Sequence, residues 1–137
     1  MNYENPWTYE GSPVSEKDVD NCVGFVYIIK NRMNGRWYVG KKTAKFIRTK
    51  TVNKKKKRVK VDSDWKDYYG SSDELKADVE KHSKHNFSRE IIRFCSSKTE
   101  MSYYEAHEQF ARGALLTTES YNSWIMVKVR KNTKILS

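Results

Sequence analysis

The sequence predicts an α+β fold, with a small central three-stranded antiparallel sheet flanked by helices and a basic β-hairpin-like insertion. Three observations lead to this prediction: two early hydrophobic runs joined by a turn, two helix-start patterns later in the chain, and an apolar run between them. At 137 residues the chain is long enough for one domain with its own core. We expect that domain over residues 21–130, between an acidic N-terminal tail at 1–20 and a C-terminal tail at 131–137.

The first two hydrophobic runs predict a β-hairpin over Val23–Lys41. Gly24–Ile29 forms the first run, and the second contains Tyr38, so each run carries a tyrosine. The segment between them holds the Asn34-Gly35 pair, which is typical of tight hairpin turns. Tyr27 and Tyr38 are therefore expected on neighbouring strands.

A strongly basic segment follows the hairpin. Lys45–Val61 holds nine basic residues and no acidic one. β-Branched residues on both sides of Asn53–Arg58 predict a protruding two-stranded ribbon with a cationic tip, within an insertion at about 43–62. Neighbouring positive charges repel each other, so the tip is expected to bind a polyanion.

The second half of the chain predicts helix, strand and helix. A capping-box pattern at Ser71–Glu74 indicates a helix that ends near Lys84. A second pattern at Ser97–Glu100 indicates a helix that continues through Arg112.

Two further runs complete the prediction. Phe87–Cys95 has the apolar content of a buried strand and supplies the third strand of the sheet. Tyr121–Val129 is aromatic and β-branched, which makes it the candidate for a closing strand.

Composition narrows the class of partner. The formal net charge of +10 and the pI near 9.6 favour polyanions, with nucleic acid the leading candidate. Five of the six charged residues in positions 1–20 are acidic, so the rest of the chain is more basic than the whole. No apolar run reaches the ~20 residues that span a bilayer, and the polar start lacks a secretory leader pattern. We therefore expect a cytoplasmic protein.

The two tyrosine runs resemble the two-part signature of the GIY-YIG nucleases, in the form Phe-Val-Tyr and Tyr-Val-Gly. Tyr38–Lys42, Trp65–Ser72 and Tyr104–Ala106 resemble the small phage-type members of that superfamily, which include proteins like the phage homing endonucleases. The resemblance covers roughly Val23 to Ile125. It implies a metal-dependent DNA endonuclease, acting in the host cytoplasm if phage-encoded.

The resemblance also implies roles for individual residues. The tyrosine of the first motif, Tyr27, corresponds to the general base, and Tyr38 to the tyrosine that assists at the scissile phosphate. Glu105 is the best match to a helix glutamate that binds one divalent metal, Mg²⁺ or Mn²⁺, and Asn122 to a later asparagine of the site. Because tyrosine is a weak base with a pKa near 10, Tyr27 could serve only if neighbouring cations or a metal-linked water lowered its pKa. We expect the lysine-rich surroundings to act in that direction.

The cation that stabilises the phosphate has three candidates. Arg48 stands where spacing places the family's arginine, although the segment does not form the Arg-x-x-x-His helix pattern. Lys42 and Lys66 can supply the same charge without arginine's planar fork.

DNA is the expected partner, and one active site cuts one strand, so double-strand cleavage would call for a homodimer or two sequential visits. The residues expected to contact DNA are Lys41, Lys54, Lys55, Lys56, Lys57, Arg58 and Lys66. Two alternatives stay open: a non-catalytic nucleic-acid-binding module on the same fold, and a small basic RNA-binding protein whose aromatic residues stack on bases.

Overall fold

The computed structural model describes residues 3–131, which fold as an α+β domain with its helices on both faces of a central sheet. The strands are β1 (Thr8–Tyr9), β2 (Ser12–Pro13), β3 (Gly24–Asn31), β4 (Trp37–Thr43), β5 (Lys45–Val52), β6 (Lys55–Asp62) and β7 (Phe87–Cys95). The helices are α1 (Glu16–Asp20), α2 (Asp73–His82) and α3 (Lys98–Ala111), with 3₁₀ turns at Trp65–Asp67 and Lys84–Asn86. Of the predicted C-terminal tail, residues 132–137 lie outside the described part of the chain.

The central sheet is larger than predicted. Its order is β2-β1-β7-β3-β4, and its inner part, β7-β3-β4, is the antiparallel three-stranded sheet that the sequence indicated. β1 adds to β7 in parallel orientation and β2 pairs with β1, so the complete sheet is mixed and has five strands. The two added strands have two residues each, too few to show a period-2 pattern in the sequence.

The basic insertion forms its own two-stranded antiparallel sheet, β5-β6, which confirms the predicted hairpin. The register brings Val52 opposite Lys55, which leaves a two-residue turn at Asn53 and Lys54. Both turn residues have positive φ, 51° and 63°, as a hairpin turn of this length demands.

Alternation along β3 divides the core into two layers. Phe25, Tyr27 and Ile29 belong to the layer that also contains Leu75 of α2 and Phe87. Residues of the opposite face, Val26 and Ile28 among them, pack with Met101 of α3. Burial of these large apolar side chains is the main favourable contribution to folding.

The acidic N-terminal segment packs into the first of these layers. Trp7 has no exposed surface, and its ring lies 5.1 Å from those of Phe25 and Tyr27, measured between centroids. Its indole Nε1 donates to the Trp65 carbonyl oxygen at 2.7 Å. Over its described residues, the segment predicted as a tail is therefore part of the folded domain.

One of the two predicted helices begins one residue later than predicted, and the other begins as predicted. Ser72, one residue later than predicted, caps α2 by accepting a hydrogen bond from the Leu75 backbone N–H. Ser97 caps α3 as predicted, accepting from the Glu100 N–H at 3.1 Å. The Glu100 carboxylate in turn accepts a hydrogen bond from the Ser96 backbone N–H, one residue before the cap.

The predicted closing strand at Tyr121–Val129 is wrong, because residues 121–131 contain no strand. Contact with the sheet occurs just before it, where Trp37 of β4 forms an isolated parallel bridge with Ser120. The Trp37 N–H donates to the Glu119 carbonyl oxygen, and the Tyr121 N–H donates to the Trp37 carbonyl oxygen. Across residues 3–131, helices with the length and hydropathy of a membrane span are absent.

Candidate active site

A cleft of about 490 Å³ runs along the free edge of β4. Four separate parts of the chain meet there: β4 supplies Tyr38 and Lys41, the start of α2 supplies Ser71–Glu74, α3 supplies Glu105 and Gln109, and the C-terminal segment supplies Asn122. A larger cleft of about 650 Å³ lies on the α2 side and holds none of the predicted site residues. The β4 cleft is therefore the candidate site.

The strand register brings the two signature tyrosines together. Tyr27 lies directly opposite Gly40, and Tyr38 is two residues before Gly40 on the same face of β4. The two rings lie 6.3 Å apart between centroids. Tyr38 is half-buried, and its hydroxyl makes a 2.8 Å hydrogen bond with the Ser71 hydroxyl.

Tyr27 differs from Tyr38 in both burial and bonding. It has no exposed surface and does not line the cleft, and its buried hydroxyl has no hydrogen-bond partner among the described residues. A Cβ atom at Gly40 would lie 2.5 Å from the Tyr27 hydroxyl oxygen and 2.8 Å from the Tyr38 ring. Any side chain at position 40 would therefore displace one tyrosine or the other.

The expectation that nearby lysines lower the pKa of Tyr27 is wrong for the protein by itself. Burial raises this pKa well above its ordinary value, and the neighbouring Tyr68 and Tyr38 add to the rise. Lys42 does not offset it, because its ammonium group pairs with Asp64 and lies 4.0 Å from the centre of the Tyr68 ring. Tyr27 is thus a neutral hydroxyl at physiological pH.

Glu105 carries the most secluded carboxylate of the cleft, with 15% of its side chain exposed. Burial raises its pKa, and the ammonium group and backbone N–H of Lys41 act in the opposite direction. The Lys41 Nζ lies 3.9 Å from Glu105 Oε1 and donates instead to the Ser102 hydroxyl at 2.8 Å. The carboxylate is therefore largely removed from water, and the ion pair that it makes with Lys41 is a long one.

This environment fits a bound divalent cation. Among residues 3–131 there is no group of three or more His, Cys, Asp or Glu side chains that could enclose a metal ion. Mg²⁺ does not demand one, because it commonly takes one or two carboxylates and keeps several waters. Glu105 is the acidic side chain in the cleft whose burial a cation would offset.

Asn122 lies in the cleft but uses its amide on the edge of the sheet. Its Oδ1 accepts from the Val39 N–H at 3.0 Å, and its Nδ2 donates to the Val39 carbonyl oxygen at 2.8 Å. Gln109 donates to the same carbonyl oxygen at 3.0 Å. Both amides thus replace a missing neighbouring strand and hold β4 in place beside Glu105.

The predicted phosphate-binding cations lie apart from one another. Lys42 is on the Tyr27 face of β4 and is paired with Asp64, and Lys66 is paired with Glu16 of α1. Arg48 lies on β5, with its guanidinium 5.3 Å from the centre of the Phe46 ring, and does not line the cleft.

Lys41, predicted as a DNA contact, is the lysine that lines the cleft beside Glu105. The cationic tip, Lys54–Arg58, is exposed at the far end of the ribbon.

Two residues of the site were missed by sequence reasoning. Gln109 could have been found, since it follows Glu105 by four positions and so lies on the same face of α3. Ser71 was interpreted as a helix cap, whereas its hydroxyl binds Tyr38. The local sequence carries no signal for that second contact, because it joins positions 33 residues apart.

The antiparallel β3-β4 pair with a tyrosine on each strand, and the helix glutamate beside the sheet edge, agree with the resemblance of the sequence to the GIY-YIG nucleases. The family model described as "Putative endonuclease segE, GIY-YIG domain" matches residues 7–125, and the chain belongs to this family. Comparison with curated proteins and with solved structures finds no match. The matched range begins at Trp7, so it includes the N-terminal segment that packs against the sheet.

Proposed function

We propose that this protein is a divalent-metal-dependent endonuclease that hydrolyses phosphodiester bonds of DNA in the β4 cleft. The observation that carries the proposal is the meeting of Tyr38, Lys41 and Glu105 in one cleft of a domain from an endonuclease family. Phosphodiester hydrolysis needs a proton acceptor for the attacking water and positive charge beside the phosphate. The described cleft has side chains suited to the second need, and Tyr27, whose ring lies 6.3 Å from that of the cleft-lining Tyr38, is our candidate for the first.

Glu105 would hold the divalent ion, Mg²⁺ or Mn²⁺. When bound, such an ion neutralises negative charge on the phosphate and lowers the pKa of a bound water. The low exposure of Glu105 supports this role, because a half-buried carboxylate gains more from a cation than a solvated one. Lys41, the cleft-lining lysine, supplies the second positive charge beside the phosphate.

The two tyrosines are assigned the remaining roles, contact with the phosphate and general base. Tyr38 reaches the cleft and contacts the phosphate, with Ser71 orienting its hydroxyl. We assign the general base to Tyr27, which would accept a proton in its ionised form; no described hydrogen bond holds its hydroxyl proton in place. Its raised pKa means that this role depends on positive charge near the hydroxyl, such as that of a divalent ion held at Glu105, because the DNA substrate itself is negative. Gly40 leaves the hydroxyl its space.

Nicking of supercoiled plasmid in Mg²⁺ tests the proposal. We expect Tyr27→Phe and Glu105→Ala each to lower the nicking rate by ~100-fold or more, the scale on which positioned acid–base groups act. Tyr103→Phe and Glu108→Ala are matched controls, since Tyr103 is exposed and Glu108 pairs with Arg112 at the end of the helix. Undiminished cutting by either site variant would contradict the assigned roles.

Metal binding has a separate readout. Mn²⁺ should raise the Tm of the wild-type protein, because a ligand that binds only the folded state stabilises it. The same addition should leave the Tm of Glu105→Gln unchanged. An equal shift in both proteins would place the ion away from Glu105.

Two observations favour a second candidate, a non-catalytic DNA-binding module. The neutral, shielded Tyr27 hydroxyl and the absence of arginine from α2 (Asp73–His82) are both compatible with a site that no longer cuts. That candidate predicts salt-dependent DNA binding without strand scission in either Mg²⁺ or Mn²⁺. The plasmid assay separates the two.

A further inference from the structure

We propose that the β5-β6 ribbon enters the major groove of duplex DNA, with cations on both of its faces directed at the two walls of the groove. This inference rests on the proposed function, which makes duplex DNA the substrate. It goes further by assigning a groove, an element and an orientation.

The dimensions of the ribbon suit this groove. It forms a separate sheet with eight cross-strand pairs, from Lys45 opposite Asp62 to Val52 opposite Lys55. At a rise of about 3.4 Å per residue its length is roughly 27 Å. The major groove is about 12 Å wide and admits a two-stranded ribbon, whereas the minor groove is about half as wide.

Both faces of the ribbon are charged. Directly opposed residues of an antiparallel pair share a face. Lys50 opposes Lys57 on one face, and Lys56 and Arg58 lie on the other, opposite threonines. A ribbon lying flat on the DNA backbone needs cations on one face only. Charge on both faces fits an element with phosphates on two sides.

The charge distribution destabilises the ribbon in the absence of DNA. Lys50 and Lys57 face each other as like charges, an unfavourable cross-strand pair. Lys54 occupies a turn position with φ 63°, in the left-handed region where glycine is favoured. None of the ion pairs found in residues 3–131 involves residues 50–60. Lys54 thus has a backbone conformation that favours glycine and has no described carboxylate partner. Both features fit a tip that binds an anion.

The root of the ribbon is held against the domain. Lys45 pairs with Asp62 and, at 2.8 Å, with Asp20 of α1. Ser63 donates from its backbone N–H to the Ala44 carbonyl oxygen at 3.0 Å. Because β5 starts two residues after the end of β4, a ribbon seated in the groove would bring the β4 cleft close to the adjoining backbone.

The first experiment measures groove choice with Glu105→Ala protein, which keeps cutting out of the binding assay. One duplex is unmodified, and a second of the same sequence carries glucosylated 5-hydroxymethylcytosine, which obstructs the major groove. We expect the modified duplex to bind at least 10-fold more weakly, and distamycin, which fills the minor groove, to leave binding unchanged. Displacement by distamycin with equal binding of both duplexes would overturn the proposal, as would tighter binding to single-stranded RNA.

The second experiment compares the two faces at constant charge change. One variant replaces Lys50, Lys55 and Lys57 with Gln, and the other replaces Lys56, Arg58 and Lys60 with Gln. Each lost phosphate contact lowers the slope of log K against log salt by about 0.9, so each variant should lose up to ~2.7. Loss in one variant alone indicates a ribbon flat on the backbone and overturns the proposal, as does no loss in either.

The control for that comparison is a triple variant, Lys17→Gln, Lys81→Gln and Lys98→Gln, which removes the same charge from exposed sites outside the ribbon. Its slope should match that of the parent protein. Failure of the proposed function is distinguishable, because it is defined by the absence of wild-type nicking in Mg²⁺ or Mn²⁺. The binding results do not depend on that outcome.

Discussion

The Tyr27 hydroxyl is the residue-scale feature that most constrains the mechanism. A buried hydroxyl without a hydrogen bond destabilises the fold, since it loses its water contacts and gains nothing in return. Tyr27 keeps that hydroxyl at a position with no exposed surface, opposite a glycine that makes room for it. A catalytic role for the hydroxyl would account for a buried polar group that makes no described hydrogen bond.

Replacing Tyr27 with phenylalanine should therefore separate stability from activity. We expect Tyr27→Phe to leave the free energy of unfolding unchanged or to raise it by up to ~1 kcal/mol, because no described hydrogen bond is lost. Urea denaturation measures the change, alongside the expected loss of nicking.

Tyr121→Phe is the matched comparison for that measurement. The Tyr121 hydroxyl accepts from Asn31 Nδ2 at 3.0 Å and donates to Asp78 Oδ2 at 2.7 Å. Its removal leaves the buried Asn31 amide short of a partner and should cost ~1–3 kcal/mol. A larger loss of stability in Tyr27→Phe than in Tyr121→Phe would show that the Tyr27 hydroxyl has a structural partner.

The Glu105 carboxylate should make stability depend on pH. Burial raises its pKa, so the folded protein binds this proton more readily than the unfolded chain does. Its contribution to the free energy of unfolding is then fully present below the ordinary glutamate pKa and is lost as the pH rises through the raised value.

We therefore expect Glu105→Gln, in chelator, to have a higher Tm than wild type at pH 8. The difference should disappear at pH 4, where both side chains are neutral. Glu119→Gln, at an exposed site, should follow wild type at both values. A constant difference between wild type and Glu105→Gln from pH 4 to pH 8 would contradict the pKa direction.

At the scale of the element, α2 shows how adjacent serines take separate roles. Ser72 caps the helix through the Leu75 N–H, whereas the Ser71 hydroxyl faces the sheet and binds Tyr38. The capping-box pattern fits Ser71 to Glu74 by spacing, but Glu74 pairs with Arg36. The helix consequently begins one residue later than the pattern predicts, and the Ser71 hydroxyl binds Tyr38 in place of capping the helix.

Substitution of each serine tests this division. Ser72→Ala should lower the free energy of unfolding by ~1 kcal/mol, the usual cost of a lost N-cap. Ser71→Ala should cost less in stability but should slow nicking, because Tyr38 loses its orienting partner. Urea denaturation and the plasmid assay measure the two effects, and the reverse pattern would restore Ser71 as the cap.

At the scale of the whole molecule, the N-terminal segment completes the domain. Trp7 fills the layer above β3, and two ion pairs, Glu16 with Lys66 and Asp20 with Lys45, fasten α1 beside the root of the ribbon. Arg89 of β7, almost fully buried, donates to the backbone oxygens of Asn5 and Tyr68. The segment is thus bound to the sheet by apolar, ionic and hydrogen-bond contacts.

Trp7→Ala should consequently destabilise the whole domain. We expect a loss of ~3–5 kcal/mol, typical of truncating a buried tryptophan, with one cooperative unfolding transition. Trp124→Ala is the control, because its side chain is 72% exposed and should change stability by no more than ~0.5 kcal/mol. Near-equal stabilities of the two variants would mean that the segment is dispensable.

Much of the fold could be predicted from local patterns. The hydrophobic run of β3, the glycine turn before β4, the apolar run of β7 and the Ser97 cap of α3 all act over a few neighbouring residues. The five-stranded sheet could not be predicted in this way, because β1 has two residues and pairs with β7 some 80 positions away. The Tyr121–Val129 strand failed for the opposite reason, as β-propensity without a partner strand does not make a strand.

By itself the sequence determined the membership of the chain in a nuclease family, the paired tyrosines, the helix that carries Glu105 and the basic ribbon, because short-range pattern specifies each of them. Only the tertiary structure decided which side chains meet. In the folded protein the Tyr27 hydroxyl is buried, Lys42 is paired with Asp64, and Lys41 lies beside Glu105 in the cleft. Burial and charge pairing depend on groups far apart in the chain, and these long-range effects govern the pKa values and the cations available for chemistry.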